Sequence, residues 1–191
     1  GGQHGDYLEA WFAHTAGLKV VAPSSPAEAY GLLLSCIFDD DPCIFIENMP
    51  LYFAPGVAPV RGERIPIGKA KVVREGTDAT VISYSRTMLE VNAVADELAK
   101  RDISVEVIDL RSISPLDMDT IVASVRRTSR LVVVHEAPTT LGIGAEIAAQ
   151  VTENCFHHLE APVLRVGGFD TPYPPSRIEE EYLPDLDRVL D

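Results

Sequence analysis

The chain has 191 residues, of which 46% are hydrophobic, and a formal net charge of −13 at pH 7. That length and apolar content suffice for one or two domains with a buried core, whereas the strong negative charge argues against binding to nucleic acid or to an anionic membrane. No apolar run reaches the roughly 20 residues that a membrane-spanning helix needs. The three cysteines are odd in number and form no C-x-x-C pair, which indicates a reducing compartment.

Residues 1–47 predict the order helix, strand, helix, strand. Asp6 is a candidate cap for a short first helix, with Glu9 three residues later, and Gly17 is expected to end that helix. A short buried strand is predicted at 18–21. The side chains expected on the inner face of the first helix are Leu8, Trp11 and Phe12.

The second helix has a clear start at residues 25–28, where a serine cap, a proline and a glutamate follow one another in the preferred positions. Its expected inner face consists of Ala29, Leu32, Leu33 and Cys36. Residues 39–42 break this helix, and a second strand is predicted at 43–47. Because no strand precedes the first loop, we expect residues 1–47 to be the end of an α/β domain and the chain to be the C-terminal part of a longer subunit.

Residues 48–68 are rich in proline and glycine and lack periodicity, which is typical of a linker. After it, strands are predicted at 79–84, 105–110, 131–134 and 163–166. Helices are predicted between them, with starts at 114–117 and 142–144. This alternation predicts an open, mostly parallel sheet with helices on both faces, followed by an irregular acidic tail that is either solvated or a docking surface.

His4 lies in a glycine-rich loop, next to Gly5. A flanking glycine allows a close approach to a ligand, and an imidazole there could exchange a proton near pH 7. The alternative is a loop histidine bonded to the backbone. His14, near a helix end, is interpreted as structural, and the pair at 157–158 has no neighbours with metal-site spacing.

Two further stretches are candidate ligand contacts. His135 and Glu136 directly follow the predicted central strand, and ligands bind at the carboxyl ends of such strands. Gly142 and Gly144 precede a helix and could receive an anion there. Because no third glycine completes a G-x-G-x-x-G motif, tight strand-to-helix packing is the alternative interpretation.

Cys36, Asp39 and Asp41 cluster where the second helix ends in an acidic turn. Hard oxygens are gathered where the carbonyl groups of a helix end are free, so a cation could bind. A solvated acidic turn is the alternative.

Ten stretches, in chain order, carry a resemblance to one enzyme family. They are residues 3–4, 9–14, 17–23, 31–37, 42–47, 107–111, 135–138, 159–162, 170–174 and 182–185. Together they resemble the beta subunit of the thiamine-diphosphate-dependent decarboxylase component of 2-oxoacid dehydrogenase complexes. Residues 35–37, 135–138 and 159–162, with the strand around Cys43, look closest to the branched-chain enzyme.

The resemblance implies a fold and a reaction. Residues 1–47 would be the C-terminal part of a pyrimidine-binding, transketolase-like domain, 48–68 a linker and 69–191 a transketolase C-terminal-like domain. The implied reaction is oxidative decarboxylation of branched-chain 2-oxoacids with reductive acylation of the lipoyl group of the acyltransferase. The alternatives are a pyruvate or acetoin dehydrogenase beta subunit, or a non-catalytic module for docking and subunit pairing.

The resemblance also implies site residues. His4 matches the active-site histidine of the beta subunit, while Cys36, Asp39 and Asp41 match a potassium-binding turn. Thiamine diphosphate with magnesium would be shared with the alpha subunit, and no residue of this chain is assigned to that cofactor. The chain departs from the family pattern at Gly5, where Ser is usual and the loop could loosen. Two further departures are Tyr30 for Lys and Asp41 for Asn.

The implied partners are an alpha subunit and a second beta subunit in an α2β2 heterotetramer. A further partner is the basic subunit-binding domain of the acyltransferase in a multienzyme complex, for which the negative charge of this chain would be suited. Without an alpha subunit the chain is expected to be inactive. The expected compartment is the bacterial cytoplasm, or the mitochondrial matrix in a eukaryote.

Overall fold

The computed structural model describes residues 5–191 and contains two β-sheets. The strands are Lys19–Val21 (β1), Cys43–Phe45 (β2), Lys71–Arg74 (β3), Ala79–Ser83 (β4), Val105–Asp109 (β5), Ser112–Ser114 (β6), Leu131–Pro138 (β7) and Leu164–Gly168 (β8). The α-helices are Glu9–Ala13 (α1), Pro26–Ile37 (α2), Thr87–Ala99 (α3), Met118–Thr128 (α4), Ile143–Cys155 (α5), Glu179–Tyr182 (α6) and Leu186–Leu190 (α7). Short 3-10 helices cover Met49–Phe53 and Phe156–His158.

The larger sheet has the strand order β3-β5-β4-β7-β8, and only its edge strand β3 runs antiparallel to its neighbour. Side chains alternate between its two faces, as in any strand. One face packs on α4 and α5, and the other packs on α3. The residues that meet on the first face include Ile82, Ile108, Val133, Ile121 and Ile147, and those on the second include Val81, Val107, Val134, Met88 and Val91. The predicted α/β fold class is confirmed.

The smaller sheet combines the two strands predicted within residues 1–47 with a third strand from residues 69–191. It has the order β2-β1-β6, with β1 parallel to β2 and antiparallel to β6. Neither β6 nor β3 was expected from the sequence. Residues 54–70, all of them described, contain neither helix nor strand. The division into domains at 48–68 stays a prediction.

The helices α2 and α4 begin where their capping residues predict. The Ser25 side chain accepts a hydrogen bond from the backbone N–H of Glu28, and Asp117 caps α4 by accepting from the backbone N–H of Thr120. The predicted cap of the first helix is wrong. Leu8 precedes α1 without a capping side chain, because the Glu9 side chain turns into the core instead.

Two of the predicted inner faces are also wrong in part. Leu8, Trp11 and Leu33, all expected on inner faces, are exposed. The tail is more ordered than expected, since α6 and α7 fold back and bury Tyr182 and Leu183. Arg188 fixes the end of the chain by donating to the carbonyl of Gly167 at 2.6 Å.

None of the helices described between residues 5 and 191 is long and apolar enough to span a bilayer.

Candidate active site

A cleft of about 620 Å³ opens near the carboxyl ends of β2, β4 and β7. Its walls come from residues 5–8 with α1, from residues 46–50 after β2, from Arg86 and Glu136, and from the tail between 173 and 183. This is the edge where sheets of this kind bind ligands. His4, the catalytic candidate, lies outside the described residues. Gly5, its neighbour in the chain, lines the cleft.

The cleft is acidic. Its ionisable lining consists of Asp6, Glu47, Glu136, Glu179 and Glu180, with Arg86 as the one Lys or Arg among the lining residues. Arg86 is paired with Glu90 at 3.2 Å. Such a lining favours a ligand that is neutral, cationic or rich in hydrogen-bond donors where it touches this wall.

Glu136 is a partly buried acid of this wall. The Asn48 side-chain amide donates to its Oε2 at 2.8 Å. Burial raises the pKa of the Glu136 carboxyl, although the charge of Arg86 and the bond from Asn48 partly oppose the shift. The Oδ1 atom of Asn48 is buried and has no partner among the described residues. The 135–138 stretch therefore presents Glu136 to the cleft, as an acid that could hold a proton.

His135 does not face the cleft. Its ring is completely buried, and Nδ1 lies 2.9 Å from the carbonyl oxygen of Ala137. A Cβ atom added to Gly142, Gly144 or Gly167 would come within 2.8 to 3.0 Å of this ring. The glycine pair at the start of α5 thus makes room for His135, which favours the packing interpretation of that pattern over anion binding.

Glu9 anchors α1 to the larger sheet. Its carboxylate is completely buried, and the Tyr84 hydroxyl at the end of β4 donates to Oε1 at 2.6 Å. Burial raises the pKa of Glu9 to about 7, against the lowering effect of the bond from Tyr84. Sequence reasoning missed this role by treating Glu9 as part of a capping box. The available signal was the helical spacing of Glu9 with Phe12 and Ala13, which puts an acid on the apolar face.

The acidic turn after α2 lies away from the cleft, because none of Cys36, Asp39 and Asp41 lines it. The Lys19 ammonium is 2.6 Å from Asp39 Oδ1 and 3.1 Å from Asp41 Oδ2. These two bonds raise the pKa of Lys19. Within residues 5–191, no three or more His, Cys, Asp or Glu side chains are grouped so as to hold a metal ion. The turn therefore already contains a cationic partner, and potassium binding there stays a prediction.

The remaining candidates are also away from the cleft. His14 follows α1 and is exposed, and so are His157 and His158 in the 3-10 helix after α5. Tyr30, whose effect the sequence did not reveal, accepts a hydrogen bond from the backbone N–H of Gly62 at 2.9 Å. It thereby ties the irregular segment to α2.

Comparisons with known proteins agree with this architecture. Residues 68–189 match the model of the transketolase C-terminal domain, and residues 1–54 match that of the transketolase pyrimidine-binding domain. A split-gene transketolase, solved as an inactive beta4 tetramer, has a TM-score of 0.78 and 22% identity. That match covers 95% of this chain and 58% of the transketolase chain, and it shows a shared fold.

Two curated relatives are much closer in sequence. The 3-methyl-2-oxobutanoate dehydrogenase subunit beta of Mycobacterium tuberculosis is 50% identical over 189 residues, which is 98% of this chain and 54% of the relative. The pyruvate dehydrogenase E1 component subunit beta of Bacillus subtilis is 48% identical over 190 residues, which is 98% of this chain and 58% of that relative. The chain thus spans about half the length of the curated relatives that it matches. It belongs to the transketolase C-terminal domain family, and a segment that matches the pyrimidine-binding domain precedes that domain.

Proposed function

We propose that the chain acts as a beta-subunit part of the decarboxylase component of a branched-chain 2-oxoacid dehydrogenase. The observation that carries this proposal is its 50% identity, along 98% of the chain, to a protein named as the beta subunit of such an enzyme. The cleft supports it, because Gly5, beside the sequence-predicted catalytic His4, opens onto the ligand-binding edge of the sheet.

The chain itself would supply groups that exchange protons and part of the wall of the cleft. Thiamine diphosphate, when bound, provides the electron sink for decarboxylation. The acidic cleft does not fit a diphosphate, so the diphosphate and its magnesium would be held by the alpha subunit. His4 would hold or transfer a proton during acylation of the lipoyl group. Glu136, whose pKa is raised by burial and whose carboxyl group is oriented by Asn48, would offer a second proton-exchanging group at the wall of the cleft.

The substrate proposal is tested by reconstitution with the cognate alpha subunit. We expect turnover of 3-methyl-2-oxobutanoate to exceed that of pyruvate at equal concentration. Equal or better use of pyruvate would contradict the branched-chain assignment and favour the pyruvate alternative, to which the Bacillus subtilis relative belongs by name. The chain without an alpha subunit should release no carbon dioxide, and turnover by the chain alone would contradict the shared-site proposal.

The role of His4 is tested in the same reconstituted enzyme. His4→Ala should retain cofactor binding and lose acylation of the lipoyl group by at least about a hundredfold, the lower end of what a positioned acid–base group contributes. His14→Ala, at an exposed position outside the cleft, is the matched control. Acylation at the parent rate in His4→Ala would show that His4 is structural.

A second proposed function is docking of the acyltransferase through its basic subunit-binding domain. Five acids of the tail, Glu180, Glu181, Asp185, Asp187 and Asp191, are exposed and add to a net charge of −13. Opposite charges steer association and are screened by salt. Binding measured by calorimetry should therefore weaken from 50 to 500 mM salt, and an affinity that is independent of salt would count against this partner. Such a complex would work in a reducing compartment, either bacterial cytoplasm or mitochondrial matrix.

A further inference from the structure

The ring of Tyr173 lies directly on the backbone of Gly5. A Cβ atom added at Gly5 would overlap this ring, and the three atoms nearest to it all belong to Tyr173. The backbone of Gly5 is not in the left-handed region, so an alanine there would meet the ring and no backbone strain. The absence of a side chain at position 5 is therefore matched by an aromatic ring that fills the space.

The ring is held from its other side by the tail. Tyr182 packs on Tyr173 edge to face, with 5.1 Å between ring centroids and an interplanar angle of 63°. Tyr182 is buried, and its hydroxyl end lies against Gly168 at the end of β8. The Tyr173 hydroxyl lies 3.5 Å from the Glu179 carboxylate in α6. The Tyr173 ring therefore contacts Gly5 on one side and Tyr182 of the tail on the other.

We propose that Tyr173 is a positioning residue for the loop that carries His4, and that Gly5 is the residue that admits its ring. The inference rests on the proposed function, because the catalytic value of the loop comes from His4. The steric coupling between positions 5 and 173 does not depend on that function. The expectation that glycine at position 5 loosens the loop is then replaced by a packed contact. Through this ring the tail contacts Gly5 at the wall of the cleft.

The coupling is tested on the chain by thermal unfolding of Gly5→Ala, Tyr173→Ala and the double variant. In the parent background, Gly5→Ala should lower the Tm by at least roughly 2 °C, because the added methyl group overlaps the ring. In the Tyr173→Ala background, the same change should have almost no effect, since the space is then open. Equal effects of Gly5→Ala in both backgrounds would overturn the proposal.

The positioning role is tested by NMR on chain labelled at its histidine rings, with the His4 signal assigned by its loss in His4→Ala. Tyr173→Ala should move the His4 signal and its titration, and Tyr173→Phe, which keeps the ring, should restore both. Phe169→Ala is the matched control, because Phe169 also packs edge to face on Tyr182 but does not contact Gly5. A His4 signal that stays in place in Tyr173→Ala, or that moves equally in Phe169→Ala, would overturn the proposal.

Kinetics of the reconstituted enzyme separate this inference from the function on which it rests. Tyr173→Ala should lower kcat at least about tenfold with little change in KM for the 2-oxoacid, since misplacement of a reacting group acts on the chemical step. Tyr173→Phe should recover most of the loss. If His4→Ala keeps parental activity, the proposed function fails while the coupling and the His4 signal still stand. If His4→Ala is inactive and Tyr173→Ala is fully active, the positioning role is wrong.

Discussion

Residues 5–57 and residues 68–191 differ in how completely they bury their apolar side chains. The second region closes around its sheet, with α3 on one face and α4 and α5 on the other, and its exposed apolar side chains, such as Leu141 at 86%, lie outside this core. The first region leaves large apolar side chains in solvent, and three of them are more than 70% exposed: Trp11 at 75%, Phe53 at 90% and Val57 at 79%. Ile37, Phe38, Met49 and Tyr52 extend this exposed set. Large exposed apolar side chains are typical of interaction sites, so we expect a partner to cover the first region.

The two regions contribute different parts of the candidate site. The better-packed region supplies the frame, and the less covered one brings His4, Gly5 and the β2 side of the cleft. Under the proposed function, the alpha subunit and a second beta subunit would cover the exposed side chains of the first region. Catalysis would then depend on the region whose apolar side chains are most exposed in the single chain.

Several contacts join the two regions, and three of them lie near α1, β1 and the start of α2. β1 pairs with β6, Tyr84 donates to Glu9, and the Ser24 hydroxyl bridges Glu28 and Asp109. Asp109 is completely buried, and burial together with the neighbouring Glu28 carboxylate raises the pKa of Asp109. These contacts place α1 and β1 close to the carboxyl ends of the strands of the larger sheet.

The largest expected effect on stability separates the two regions directly. Ile121 in α4 is completely buried, so Ile121→Ala should cost about 2–5 kcal/mol of unfolding free energy. Ile37 in α2 is 62% exposed, and Ile37→Ala should change it by no more than about 0.5 kcal/mol. Urea denaturation of both variants measures the contrast. Similar losses from both substitutions would mean that the apolar face of the first region is already covered in the single chain.

The joint at Glu9 should make stability depend on pH. The folded chain keeps this proton up to about pH 7, whereas an unfolded glutamate loses it near its ordinary value of 4.5. Stability from this group is thus complete below about pH 4.5 and is lost as the pH rises towards 7. Glu9→Gln, which imitates the protonated form, should be more stable than the parent at pH 8 by at most about 3 kcal/mol and similar to it at pH 4.5. Urea titrations at both pH values test this, with the exposed Glu153→Gln as control. A constant difference at both pH values would contradict the assigned burial.

The smallest effect is expected at the acidic turn of the first region. Lys19→Met removes the ammonium group from Asp39 and Asp41, at a surface site where salt weakens ion pairs. The freed oxygens should then respond to an added cation, so replacing choline chloride by potassium chloride should raise the Tm of this variant more than that of the parent. Lys100→Met, which breaks the exposed pair with Glu97, is the control. A potassium-specific rise in the parent, lost in Lys19→Met, would show that potassium binds together with Lys19.

Sequence patterns predicted what is determined locally. The starts of α2 and α4 followed from their caps, and the strands β4, β5 and β7 followed from their apolar runs, because the second region buries the side chains that those runs mark. The strand β6 has only three residues, and its pairing with β1 spans about 90 positions, so no local signal revealed it. Trp11 was assigned to the inside because an apolar face looks alike whether its own chain or a partner covers it.

The site was predictable only in outline. The carboxyl-end rule indicated 135–138, but whether His135 or Glu136 faces the cleft depends on the glycines of α5 and β8 that enclose the histidine ring. Lys19 lies 20 residues from Asp39, and Tyr173 lies far along the chain from Gly5, so both contacts are products of the fold. The interpretation of His4 as catalytic came from the resemblance, since its loop composition also fits a histidine bonded to the backbone.

Hydrogen exchange of the chain, with and without the cognate alpha subunit, tests the contrast between the two regions most directly. In the complex we expect new protection of the backbone amides in residues 8–13, 33–38 and 49–57, where the apolar side chains are exposed. The core strands β4, β5 and β7 should exchange at the same slow rates in both samples, because the single chain already buries them. Protection confined to α5 and β8, with residues 33–57 unchanged, would contradict the claim that the first region is the surface to be covered.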